Sequence, residues 1–203
     1  MILIHQNMSR DNVAGLDHIS GMGDPFIGIP FWLHVDRERR EYLTVGAWLY
    51  LPLGEYDHED FLNPGENRWK VVLQLGYQRG LRQHFDLDVL LEADFYGKND
   101  EYGPDKLTRR QHPWYEAKGR ATYLFNNRAG SQLGVGLYVD QGGETEIEGQ
   151  LEGDQVKLRS FYVQGCTMLS PVDQVMVGLF RDLDVENGFK MSQQLRLRYL
   201  HVF

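Results

Sequence analysis

Asp57, His58, Glu59 and Asp60 form a dense run of acid and base groups, and His112 lies in a second polar stretch further on. A carboxylate beside an imidazole can activate water as a general base. The pattern around these residues argues against it. Charged runs are ordinary solvated loop, and nothing in the spacing holds the groups within hydrogen-bond reach. No serine-centred elbow, phosphate-binding glycine loop or His-x-x-x-His spacing occurs. Asp57, Glu59 and Asp60 also miss the ligand spacing of an EF-hand. The lone Cys166 can form neither an intramolecular disulfide nor a thiolate-rich metal site. The expectation is no catalytic residue, no metal and no cofactor, with an acid/His enzyme at the rim of a barrel as the alternative.

A second set of polar groups is more informative because it alternates with apolar residues. Asp86, Asp88, Glu92 and Asp94 oppose Leu87, Val89, Leu91 and Ala93. Glu116, Lys118 and Arg120 lie on the next such segment, and Arg196 and Arg198 on the last one. Trp32 and His34, then Tyr42, Trp48 and Tyr50, take the face opposite Leu33, Val35, Leu43, Ala47 and Leu49. Period-two alternation is the signature of a strand with two unlike faces. The elements that position these groups are therefore strands, expected at 1–8, 26–36, 41–52, 68–78, 85–95, 113–125, 131–140, 155–169, 174–182 and 194–203. Pro30 removes a ladder donor, so an irregularity is expected there.

Alternation alone would also suit a soluble sheet with one wet face. The connections distinguish the two cases: 37–40, 126–130 and 170–173 are short, whereas 53–67, 97–112 and 141–154 are long. Short turns on one side and long loops on the other are characteristic of outer-membrane barrels. The expected fold is an all-β, antiparallel transmembrane β-barrel with ten strands in one domain, 1–203. Apolar faces bounded by Trp69, Tyr77, Phe85, Phe95 and the terminal Phe203 are expected to meet lipid, with those aromatics forming the girdles at its interfaces. Trp32, His34, Tyr42, Trp48, Tyr50, Asp86, Asp88, Glu92, Asp94, Lys118, Arg120, Arg196 and Arg198 are then expected to line the lumen. The aromatics among them either form a path for solutes or pack against a plug and one another. Neighbouring inward charges of opposite sign are expected to pair.

Composition agrees. A negative mean hydropathy and the lack of an apolar run of about 18 residues exclude a helical span but not a barrel. A net charge of −8 disfavours nucleic acid as a partner. The N-terminus lacks the basic and apolar regions of a secretory signal, so an exported protein of this sequence is expected to be a mature or truncated form. A soluble lipocalin-like binder, whose alternation would turn the apolar face inward, is the remaining rival.

The last strand, ending on Phe203, resembles the C-terminal aromatic signal of bacterial outer-membrane proteins, with His201 as a departure. Five stretches also resemble the family named for the meta pathway of phenol degradation, a group of proteobacterial outer-membrane proteins. They are Gly23-Asp24-Pro25-Phe26-Ile27-Gly28-Ile29-Pro30, Pro52-Leu53-Gly54-Glu55-Tyr56-Asp57, Gly65-Glu66-Asn67-Arg68-Trp69, Gly142-Gly143-Glu144 and Arg196-Leu197-Arg198-Tyr199. The resemblance implies a monomeric channel of the Gram-negative outer membrane for passive uptake of small hydrophobic or aromatic molecules. It also implies about two further N-terminal strands, and so about twelve in the complete barrel. The partners it implies are outer-membrane lipid and lipopolysaccharide, hydrophobic solutes and the barrel-assembly machinery.

Overall fold

The computed structural model describes residues 5–8, 19–60 and 62–202. In chain order the strands are β1 (His5–Met8), β2 (Ile19–Met22), β3 (Phe26–Asp36), β4 (Glu41–Tyr50), β5 (Lys70–Arg82), β6 (Phe85–Tyr96), β7 (Asn99–Tyr102), β8 (Leu107–Gln111), β9 (Trp114–Leu124), β10 (Gln132–Gly142), β11 (Thr145–Ile147), β12 (Gln150–Leu151), β13 (Val156–Met168), β14 (Asp173–Glu186) and β15 (Gln194–His201). No helix occurs among the described residues. Nine strands form one antiparallel sheet in the order β15-β14-β13-β10-β9-β6-β5-β4-β3.

The faces of this sheet invert the polarity of a water-soluble protein. Its buried side chains are largely polar: Ser160 is 1% exposed, Asp182 3%, Thr122 4% and Asp86 6%. Its apolar side chains face out, with Leu197 73% exposed, Leu179 59% and Phe31 59%. Such an outer surface is stable against hydrocarbon and unfavourable against water, where each buried large apolar side chain is worth about 1.5–3 kcal/mol. A lipocalin-like binder needs the opposite arrangement, so the sheet excludes that rival.

Several expectations require correction. Pro30 pairs with Gly46 in unbroken register; the irregularity falls two residues later, between Trp32 and His34. Pro30 is tolerated because β3 is an edge strand of the described sheet. Of the segment expected as a first wall strand, residues 1–4 lie outside the described residues, and His5–Met8 form β1, which among the described residues pairs with β2 and not with the wall. The long connections also carry strands. β7 with β8 and β11 with β12 form a four-stranded sheet whose centre joins two different loops, Thr145 to Gln111, Glu146 to Arg110 and Ile147 to Arg109. The described wall is open, with β3 and β15 as its edges. Phe203, expected to end the closing strand, lies outside the described residues.

Candidate functional site

Antiparallel register sets the inward side chains in transverse rows, because directly paired residues share a face. One row runs Phe26, Tyr50, Lys70, Tyr96. The next contains Gly28, Trp48, Val72, Asp94 and Trp114. Below it stand Gln74, Glu92, Glu116 and Asp140, then Thr44, Gly76, Leu90, Lys118 and Tyr138. A further row holds Tyr42, Gln78, Asp88, Arg120, Gly136, Tyr162 and Phe180.

The bulge decides one expected member. Beyond it His34 pairs with Leu43 and Val35 with Tyr42. Leu43 in turn pairs with Tyr77, on the apolar outer face. His34 is therefore on the outer row, and Val35 takes the inward place expected for it. The extra residue of a bulge shifts the alternation by one, which a sequence pattern read straight through cannot register.

The inward aromatics fall into separate groups. Phe26 stacks on Tyr50 with centroids 4.8 Å apart, and the Lys70 ammonium lies 4.1 Å from the Tyr50 ring centre. Trp32 meets Tyr42 edge-on at 5.9 Å. Trp48 between them lies flat on the wall, where a Cβ at Gly28 or Gly46 would collide with its indole. Those two glycines are what allow the ring so close to the backbone. A third group was not anticipated: Tyr162 stacks on Phe180 at 5.2 Å, Tyr138 stands 6.4 Å away, and Arg196 covers Phe180 at 4.1 Å. The alternation of Val135, Leu137 and Val139 against Tyr138 was its available signal.

Ionic contacts knit these rows. Arg120 Nε donates to Asp88 Oδ2 at 3.0 Å, across β9 and β6. Asp86 pairs instead with Arg40 from the 37–40 turn, at 2.9 Å. Gln74 donates to Glu92, and Lys118 Nζ lies 2.5 Å from Glu116 on its own strand. Arg196 engages Gln194 as well as the Phe180 ring, and Arg198 sits on the row of Met176. Of the girdle candidates, Trp69, Phe85 and Phe95 are exposed, and Tyr77 donates to Glu41 at 2.8 Å. Phe85 packs edge-on to Tyr123 at 5.2 Å.

Cavities follow this layout. One of about 320 Å³ is lined by Trp32, Tyr42, Leu90, Lys118, Arg120 and Tyr162 among others. The outer loops enclose about 600 Å³ between Tyr56, His58, Leu62, Tyr102 and Arg109. His112 lines a different cavity, with Tyr115 and Glu144, so His58 and His112 are not brought together. His58 Nδ1 is 3.6 Å from Asp57. At the same mouth Arg68 donates to Glu66 at 2.5 Å and to Gln111 at 2.6 Å. Burial would raise the Glu66 carboxyl, but the charges of Arg68 and Lys70 outweigh it and hold Glu66 below the ordinary carboxylate range. Asp24 accepts from the backbone of Gly54 at 2.9 Å and of Glu66 at 2.8 Å, tying the segment before β3 to this loop.

An antiparallel sheet with an apolar outer face, a polar and aromatic inner face and elaborated loops along one rim defines an outer-membrane protein of the β class. The chain is similar to a crystal structure of an outer-membrane channel from Pseudomonas putida F1, at 33% identity and a TM-score of 0.92, covering 99% of this chain and 74% of that one. Residues 4–198 match the family model described as "Putative MetA-pathway of phenol degradation", and the chain belongs to that family. Its place is the bacterial outer membrane. No curated protein matches it.

Proposed function

We propose that the chain is a single-domain wall of a monomeric β-barrel channel that passes small hydrophobic or aromatic molecules by diffusion. The observation that carries this is the inner face: Phe26, Tyr50, Trp48, Trp32 and Tyr42 form a track of rings down β3 and β4, bordered by ion pairs that keep it wetted. Aromatic rings offer apolar contact with polar edges, so a small ring can bind and still leave. Lipid contacts the outer aromatics, lipopolysaccharide surrounds the loop rim, and the barrel-assembly machinery inserts the chain. Passage needs no catalytic step; at the rim His58 has Asp57 as its acid neighbour at 3.6 Å and stands in a different cavity from His112.

The test is uptake of benzyl alcohol into proteoliposomes. Trp32→Glu and Tyr42→Glu should each slow it several-fold while ion conductance is kept or raised. Unchanged aromatic flux in folded single and double variants would refute the aromatic track and leave these rings as packing.

A further inference from the structure

At one end of the ring track the inner face sets three of its rings against an unbalanced group of carboxylates. A cavity of about 260 Å³ lies between Phe26, Trp48 and Tyr50 on one side and Glu92 and Asp94 on the other, with Lys70, Val72 and Gln74 of β5 lining it between them. Beside it, register places Glu92, Glu116 and Asp140 next to one another on β6, β9 and β10. Like charges directly opposite on neighbouring strands repel. Facing these carboxylates are the ammonium groups of Lys118, engaged by Glu116 at 2.5 Å, and Lys70, drawn 3.7 Å from Glu66 and over the Tyr50 ring. The patch is left with an excess of negative charge.

Asp140 shows what is missing. It is 7% exposed, and its Oδ1 has no hydrogen-bond partner among the described residues. Asp94 Oδ1, on the cavity wall, is in the same position. A buried carboxylate oxygen without a donor is costly, so a site of this kind favours an incoming cation with N–H groups. Among the described residues no group of three His, Cys, Asp or Glu side chains could hold a metal ion, so the arrangement does not suit tight inorganic coordination. An ammonium carries three donors, and the adjoining indole of Trp48 attracts cations and can stack on an attached ring, whereas Tyr50 already carries Phe26 and the Lys70 ammonium on its ring.

We propose that this station binds the ammonium group of a small aromatic amine, with its ring against Trp48, beside Phe26 and Tyr50, and its charge toward Asp94, Glu92 and the Glu116–Asp140 pair. This rests on the channel reading and narrows its solute class: protonated aralkylamines are favoured over neutral analogues, and aromatic carboxylates are turned away.

Titration calorimetry of the full chain folded in detergent near neutral pH, with benzylammonium, benzyl alcohol and benzoate, tests this. Benzylammonium should bind about tenfold more tightly than benzyl alcohol, a factor of the size expected for one charge-assisted contact, and benzoate more weakly than either. In Asp140→Asn/Glu116→Gln the ratio of amine to alcohol affinity should fall toward one, with heat-modifiable mobility reporting that the variant is folded. Equal affinities in the unsubstituted protein would overturn the proposal, a measurement that needs no variant. So would a ratio unchanged in the folded double variant, or displacement of the amine by millimolar calcium, which would make an inorganic cation the occupant. Absence of benzyl alcohol flux through proteoliposomes refutes the channel reading instead and does not bear on this ratio.

Discussion

Arg120 reaches across from β9 to place Nε 3.0 Å from Asp88 Oδ2 on β6, on an inner row where both side chains are half-buried. A sequence pattern presents Asp88 as one of several interchangeable lumen acids. The pairing makes it specific, because removing one partner leaves the other charge without compensation. Asp88→Asn and Arg120→Gln should each destabilise the fold, and the double variant should cost less than the sum of the two. A double-mutant cycle by reversible unfolding into liposomes should give a coupling of about 1–3 kcal/mol. A coupling near zero would show the pair to be incidental.

The outer face gives a second prediction. Leu137 lies mid-strand on β10 and is 58% exposed among apolar neighbours. Leu137→Arg should cost about 2–4 kcal/mol in a bilayer. Gln164→Arg, on the inner row with Gly134 and Gly178, should cost well under half of that. Equal costs in the same unfolding assay would contradict the assignment of faces.

The indole of Trp48 occupies the space a side chain at Gly46 would need. Gly46→Ala should therefore drive the ring off the wall, costing about 1–3 kcal/mol as overpacking does and shifting tryptophan emission. Adding Trp48→Ala should recover part of the Gly46→Ala loss. No recovery would mean that the backbone, and not the indole, is the obstacle.

At the outer mouth the sign of the pH dependence follows from Glu66. Its folded-state carboxyl is held below the ordinary value of 4.5 by Arg68 and Lys70 against the opposing effect of burial. A depressed folded value means that the contribution is fully present above the unfolded value and is lost as pH falls through the folded one. Protection of the 51–69 loop from hydrogen exchange should decline on acidification below about pH 4.5. Glu66→Gln should start lower and lose that acid dependence. A retained acid limb would assign it to another group.

The wall was legible in the sequence because lipid on one side and water on the other force strict alternation. Leu87, Val89 and Leu91 against Asp86, Asp88 and Glu92 could hardly be read otherwise. His34 was misplaced because one bulged residue reverses every later assignment on its strand, and nothing in Trp32-Leu33-His34 announces it. β7, β8, β11 and β12 were unreadable for a different reason. Strands of two to five residues above the bilayer have no lipid-facing side, so Thr145-Glu146-Ile147 carries no period to detect. The Tyr138, Tyr162 and Phe180 group became visible only through register, since its members lie on three strands and nothing in any one of them shows which rings stand side by side.

The backbone pairing of 109–111 with 145–147 has an evolutionary consequence. Two segments that leave the wall at different places share one ladder, so neither can change length alone without breaking or re-pairing the other. The rim that meets the outside world can vary freely at its hairpin tips, near Gly103 and Gly149, but its stitched middle must change as a unit.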